Sequence, residues 1–221
     1  NKYYVQNFFS KVSLWAEAFV NLVVDIFNRF ISWIKDVIDW FKKNDVNVKV
    51  ISGDNPITVS EVARRAGIET AMISVSGKKE VTSSHNVTFK TDIPAEFMDY
   101  DMLDGIVLPG GMPGTLNLGA NSYVQSVIAE FAASGKLVAA ICAAPSVLGE
   151  AGLLQGKKAT SYPGFEDKLL GAEVSLDPVV VDGNIITSRG MGTAIPFALE
   201  IVAYFLGEEK AEELRKGIIY G

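Results

Sequence analysis

The stretch of residues 137–145 constrains the fold more than any other part of this chain. Its apolar run ends abruptly at Cys142, and small residues and Pro145 follow before a helical pattern begins. A continuous apolar run of this length is typical of a buried parallel strand. Proline suits the first turn of a helix, because its missing N–H would have no partner there. We therefore predict that Cys142 lies at a tight turn between a strand and a helix.

The predicted position of Cys142 bears on its chemistry. Backbone N–H groups at the start of a helix stabilise anions, and a helix N-terminus lowers the pKa of a cysteine thiol. Two interpretations follow: a reactive thiolate, which the turn favours, or a buried structural cysteine. Cys142 is also the only cysteine among 221 residues, which excludes an intramolecular disulfide and fits a reducing compartment. We expect a cytoplasmic protein.

The motif around Cys142, Ala-Ile-Cys-Ala-Ala-Pro, resembles the nucleophile elbow of the ThiJ/PfpI superfamily, which includes glyoxalase III, protein deglycases and intracellular peptidases. Residues 107–111 resemble the family's oxyanion loop, and residues 188–193 and 197–202 resemble its last strand-to-helix segment. The resemblance covers residues 62–221. It implies a flavodoxin-like α/β fold, a three-layer sandwich with a mainly parallel sheet. The alternation of predicted strands and helices independently indicates such a sheet.

The resemblance also implies an oxyanion hole beside the cysteine. Its donors would be the backbone N–H groups of Gly111 and Ala143, next to Cys142. Gly110 would contribute to substrate binding, since glycine lets the backbone approach closely. A plain tight turn explains the two glycines equally well.

The residues that would carry protons depart from the family pattern. Family members place a glutamate at the start of the first helix, and alignment on residues 64–68 puts Asn55 at that position. An amide cannot exchange a proton at neutral pH. Many members also have a histidine in the strand after the nucleophile, where this chain has Tyr162; a tyrosine with a pKa of about 10 is a poor base at pH 7. The only histidine, His85, falls in a predicted hairpin turn and matches a non-catalytic position.

The charged residues give weaker indications. Arg189 and Arg65 are candidates for binding an anionic group of the substrate, although each is equally explained as a surface or interface cation. Glu166 and Asp182 are interpreted as ordinary loop charges. The formal net charge is −6 without a basic cluster, which disfavours nucleic acid as a partner. One histidine and no Cys/His cluster argue against a zinc site, and no cofactor is implied.

Residues 1–43 differ from the rest of the chain. Apolar residues recur there at steps of three or four without proline or glycine, which predicts an amphipathic helical extension, as one helix or a hairpin. A single helix would be about 60 Å long. The apolar stripe has few cations nearby, so we expect it to pack on protein rather than on a membrane surface. Charges interrupt the segment, so neither a signal peptide nor a transmembrane helix is expected.

A second resemblance lies next to this extension. Residues 36–68 resemble part of the phosphorylation domain of P-type cation-transporting ATPases. ATPase chemistry is not expected, because the phosphorylated Asp-Lys-Thr-Gly motif and the Gly-Asp-Gly metal-binding loop are absent. The resemblance suggests that a strand and helix over residues 46–67 are borrowed, within an α/β domain over residues 44–221. A chain that joins two families at a shared motif suggests an artificial hybrid.

Two functions follow from the sequence. The interpretation favoured by the missing proton carriers is a chimeric or designed fold with a cysteine elbow and little or no enzymatic activity. The alternative is a cysteine-dependent glyoxalase III/deglycase-like enzyme that acts on small α-oxoaldehydes through Cys142. A hydrolytic peptidase is disfavoured, because no histidine can be placed beside Cys142. A homo-oligomer is expected in either case, since the family commonly dimerises and the aromatic stripe needs a partner.

Overall fold

A computed structural model describes residues 47–51, 56–83 and 86–221. The predicted helical extension over residues 1–43 lies outside the described residues, as do Asn55 and His85. Across the described ranges, no helix is both long enough and apolar enough to cross a lipid bilayer.

The centre of the fold is a seven-stranded sheet. Its strands, in spatial order, are β10 (Val179–Asp182), β11 (Ile185–Ser188), β7 (Leu137–Ile141), β6 (Gly105–Leu108), β1 (Asn47–Ile51), β2 (Glu69–Ser74) and β5 (Ile93–Pro94). All neighbours run parallel except β10 and β11, which form an antiparallel hairpin. The mainly parallel sheet is thereby confirmed.

Helices cover both faces of the sheet. They are α1 (Pro56–Arg65), α2 (Gly114–Ala120), α3 (Ser122–Ser134), α4 (Pro145–Glu150), α5 (Ala194–Leu206) and α6 (Glu208–Gly217). Strand β7 shows how the layers form, because its side chains alternate between faces. Val138 and Ala140 pack in the core formed with α2, α3 and α4. Leu137 and Ile141 pack in the core formed with α1, α5 and α6. The predicted three-layer sandwich is confirmed.

Several helix ends follow from local sequence. Pro145 is the first residue of α4, as predicted. The side chain of Asn121 caps α3, accepting hydrogen bonds from the backbone N–H groups of Tyr123 and Val124 at 3.0 and 3.1 Å. Gly135 then ends α3 in a left-handed conformation with φ of 79°.

Two small sheets lie outside the main one. Strands β3 (Glu80–Thr82) and β4 (Thr88–Lys90) form the predicted antiparallel hairpin. Strand β8 (Lys158–Ala159) pairs in parallel with β9 (Glu173–Val174). Strand β8 ends at Ala159 and does not continue to Tyr162. The chain turns at Tyr162 instead, because its carbonyl accepts a hydrogen bond from the N–H of Phe165 at 3.1 Å.

The sheet has its topological switch point at β1. The chain leaves β1 for β2 on one side and later crosses to β6 on the other side. Ligands of open α/β sheets bind in the crevice at such a point, outside the carboxyl ends of the strands. The ends of β2, β6 and β7 all meet at this edge.

Candidate active site

Cys142 lies immediately after β7, at the predicted turn into α4. Its φ angle is 66°, in the left-handed region that L-residues rarely adopt. Strained residues of this kind persist only when the surrounding structure holds them, and they cluster at functional sites. The side chain is half-buried. The sequence thus folds into a sharp strand–turn–helix elbow with the thiol at its apex.

Backbone hydrogen bonds fix the elbow from both sides. The N–H of Cys142 donates to the carbonyl of Ser188 at 2.9 Å, and the carbonyl of Cys142 accepts from the N–H of Tyr162 at 2.8 Å. The hydroxyl of Ser188 is in turn hydrogen-bonded to that of Thr193 at 2.7 Å. The end of β11 therefore holds the cysteine backbone in place, and the cysteine's own N–H is engaged.

Gly110, at the end of β6, lies directly against the cysteine. A Cβ atom added to Gly110 would overlap the Cβ of Cys142 and would lie 3.0 Å from its Sγ. The next residue, Gly111, has a φ of 86°. Its carbonyl accepts hydrogen bonds from the backbone N–H and the hydroxyl of Thr115 at 2.8 and 3.0 Å. Position 110 thus requires glycine because Cys142 approaches it closely, and position 111 favours glycine because its backbone is left-handed.

Two backbone donors beside the elbow are uncommitted. Neither the N–H of Gly111 nor that of Ala143 donates to an acceptor within the part of the chain that the structure describes. Ala143 is buried and follows Cys142 directly. Buried N–H groups are usually paired, so the unpaired N–H of Ala143 needs an explanation, whereas Gly111 is only half-buried.

Tyr162 is joined to the elbow through its backbone. Its side chain is half-exposed, and its ring lies beside Gly190, whose added Cβ would be 3.3 Å from the ring's Cδ2. The structure thus brings together Cys142, Gly110 and Tyr162 from the predicted set.

The two predicted arginines are engaged elsewhere. Arg189 donates to the carbonyl of Leu176 at 3.0 Å. Arg65 donates to Glu61 at 3.0 Å, forming an exposed ion pair on α1. Glu166 lies in the loop after Tyr162, where backbone N–H groups, chiefly its own and that of Gly164, lower the pKa of its carboxyl. That carboxylate is therefore ionised at neutral pH.

A cavity beside the glycine loop was not predicted from the sequence. Its volume is about 150 Å³, and Gly110 and Gly111 form part of its wall. Residues 74–76 at the end of β2, the β3–β4 hairpin and the start of α2 complete the wall. The sequence signal that could have indicated it is the pair of hydroxyl residues at the end of β2, Ser74 within the strand and Ser76 just beyond it. No group of three or more His, Cys, Asp or Glu residues suited to a metal ion occurs in the described ranges.

The chain is similar to known proteins over most of the described region. It is 40% identical over 165 residues to the protein dj-1beta of Drosophila melanogaster, covering 74% of this chain and 88% of the relative. It is 38% identical over 125 residues to a deglycase of Pyrococcus abyssi, covering 55% of this chain and 74% of the deglycase. The solved structure of oxidized Toxoplasma gondii DJ-1 matches with a TM-score of 0.76 at 33% identity, covering 80% of this chain and 99% of the other. The predicted flavodoxin-like α/β fold is confirmed.

The interpretation of residues 46–67 as a borrowed ATPase-like segment is not supported, and neither is an artificial hybrid. The DJ-1/PfpI family model matches residues 54–204, so the match begins before α1. Strand β1 also pairs in register with β2 and β6 inside the main sheet. Strand–turn–helix units with a proline at the first helical position recur in unrelated α/β proteins, which accounts for the misleading resemblance. The chain belongs to the DJ-1/PfpI family.

Proposed function

We propose that this protein is a cysteine-dependent enzyme of the glyoxalase III/deglycase type, acting on small α-oxoaldehydes through Cys142. The observation that carries the proposal is the left-handed cysteine elbow packed against Gly110. The N–H groups of Gly111 and Ala143 beside it have no acceptor among the described residues. The similarity to a deglycase of Pyrococcus abyssi supports the same chemistry. This proposal replaces the inactive hybrid that the sequence alone favoured.

The first step is addition of the Cys142 thiolate to the aldehyde carbon. A C–S bond forms, and the electron pair of the carbonyl moves to its oxygen. The N–H groups of Gly111 and Ala143 donate to that oxyanion, which is the role for which preorganised donors are most effective. Protonation of the oxyanion gives a hemithioacetal. Among the described residues neither donor has an acceptor, so both are free to bond the oxyanion.

The later steps move a proton and add water. A proton leaves the former aldehyde carbon and one returns at the neighbouring ketone carbon. The hydroxyl proton of the hemithioacetal passes to the former ketone oxygen, which gives a thioester of a 2-hydroxy acid. Water then cleaves the C–S bond, releasing the acid and regenerating the thiol. The aldehyde carbon is oxidised and the adjacent carbon is reduced, so water is the only co-reactant.

The proton transfers are the slow part of this scheme. Asn55 aligns with the family's glutamate and cannot exchange protons, and the lowered pKa of Glu166 removes it as a neutral-pH acid. The Tyr162 side chain is half-exposed, and its ring lies beside Gly190. Water therefore carries protons here, and turnover is expected to be about 10²–10⁴-fold below that of an enzyme with a positioned base.

The test measures 2-hydroxy acid formed from methylglyoxal by the wild type, Cys142→Ser and Asn55→Glu. Slow wild-type turnover, none in Cys142→Ser and faster turnover in Asn55→Glu are expected. Ser126→Ala, on the exposed face of α3, is the matched control and should equal the wild type. Turnover that survives in Cys142→Ser would overturn the proposal.

We also propose that the protein is a homo-oligomer. The supporting features are the family's habit of dimerising and the aromatic stripe in the sequence of residues 1–43. Multi-angle light scattering of the full chain should give at least twice the monomer mass of 23.9 kDa. A monodisperse monomer would contradict this proposal.

A further inference from the structure

We propose that the cavity beside Gly110 and Gly111 is a specificity subsite for the neutral, hydroxyl-bearing part of a larger α-oxoaldehyde. This inference rests on the proposed function, because it names the substrate class of the same site. The cavity lies between the ends of β6 and β2, on opposite sides of β1 and therefore at the topological switch point. Gly110 forms part of the cavity wall and packs against the side chain of Cys142, so a single residue separates the cavity from the thiol.

The chemistry of the wall defines the ligand class. Its polar groups are four hydroxyls and one amide, from Ser74, Ser76, Thr82, Ser83 and Asn117. Hydroxyl and amide groups can each donate and accept hydrogen bonds, as sugar-like hydroxyls require. None of the described residues in the wall is charged, so a carboxylate or phosphate would find no cation there. The wall thus suits a neutral polyol rather than an anion.

Apolar side chains in the same wall cover the carbon skeleton of such a ligand. Val75, Val81 and Phe89 line the cavity together with the glycine loop. The volume of about 150 Å³ is comparable to that of an engineered protein cavity that holds benzene. A hydroxylated tail of four carbons fits within that size.

The hydroxyls are held in place before any ligand arrives. Ser74 is fully buried, and its Oγ lies 2.8 Å from the Oγ of Ser76 and accepts from the N–H of Ser76 at 3.2 Å. The hydroxyl of Thr82 is similarly bonded to that of Thr88 at 2.9 Å. The exposed amide of Asn117 has no hydrogen-bond partner among the residues that the structure describes. It is therefore the group best placed to bond a ligand.

The first arm of the test compares two substrates. Methylglyoxal lacks a hydroxylated tail, whereas 3-deoxyglucosone carries one of four carbons. The wild type should have a higher kcat/KM for 3-deoxyglucosone. Asn117→Leu and Ser76→Ala should each lower the kcat/KM for 3-deoxyglucosone by about threefold to tenfold, the effect of one hydrogen bond. Both variants should leave methylglyoxal turnover unchanged. The control Leu116→Ala changes an exposed residue of the same helix outside the cavity wall and should alter neither substrate. Equal use of both substrates, or equal losses for both, would overturn the inference.

The second arm needs no turnover, so it separates this inference from the proposed function. Erythritol, an unreactive four-carbon polyol, is tested as a ligand of Cys142→Ser by saturation-transfer NMR. A signal that falls at least threefold when Asn117→Leu is added supports the subsite even if neither aldehyde is consumed. No signal, or a signal that Asn117→Leu leaves unchanged, would contradict it.

Discussion

Gly110 and Cys142 are packed so closely that a Cβ atom on the glycine would overlap the Cβ of the cysteine. The ends of the neighbouring strands β6 and β7 are therefore tightly packed against each other beside the thiol. The glycine loop supplies one wall of the cavity and one candidate oxyanion donor, and the elbow supplies the nucleophile and the other donor.

Replacing Gly110 with alanine should displace the elbow. The added methyl group would meet the Cβ and Sγ of Cys142 and the carbonyl of Ile141 at 2.9 Å, none of which is a flexible side-chain end. We expect a loss of about 1–3 kcal/mol in the free energy of unfolding, typical of overpacking, and at least tenfold slower alkylation of Cys142.

Gly119→Ala is the matched control for this substitution. An added Cβ at Gly119, within α2, would meet its nearest neighbour, Val147, at 3.8 Å, an ordinary contact. Urea unfolding should show no loss of stability for Gly119→Ala, since alanine is the better helix former. Equal behaviour of the two variants would show that the elbow is not packed as described.

Replacing Cys142 itself should reveal the strain in its backbone. Its φ of 66° costs an L-residue about 1–2 kcal/mol relative to glycine. The free energy of unfolding of Cys142→Gly should therefore be about 1 kcal/mol higher than that of Cys142→Ala. This holds although glycine lacks the packing of the methyl group. Chemical denaturation of the two variants measures this difference. A more stable Cys142→Ala would mean that the turn is relaxed.

The turn of the β10–β11 hairpin should contribute a pH-dependent stability. The carboxylate of Asp182 accepts a hydrogen bond from the backbone N–H of Lys158 at 2.9 Å and lies 3.4 Å from the Nζ of Lys157. These contacts, chiefly the N–H of Lys158, hold the pKa of Asp182 below its usual value of 3.8. Because the folded-state pKa is the lower one, the stabilisation is complete above pH about 4 and is lost as the pH falls through the folded-state pKa.

Denaturant unfolding between pH 7 and pH 2 checks this expectation. The stability difference between the wild type and Asp182→Asn should be constant from pH 7 to pH 5 and should shrink below pH about 4. Lys157→Met should retain most of the pH dependence, because the backbone N–H of Lys158 is the larger cause. A difference that does not change with pH would contradict the account.

The sequence indicated the core of the site because its signals are local. The apolar run before Cys142 and the proline after it specify a strand, a turn and a helix within nine residues. Helix α2 was missed, since Gly114 and Gly119 weaken its helical pattern. The cavity was missed for a different reason: its wall comes from β2, a hairpin and α2, which only the crossovers of the sheet bring together.

The most direct test of the central claim is the rate of Cys142 alkylation by iodoacetamide as a function of pH, read by mass spectrometry. The chain has one cysteine, so the same protein unfolded in urea supplies the reference, with an expected midpoint near pH 8.5. The folded protein should react with a midpoint at least one pH unit lower, because the thiol lies at the turn into α4 and the start of a helix favours a thiolate. A folded-state midpoint at or above the unfolded one would show that Cys142 is structural, and the proposed chemistry would fail.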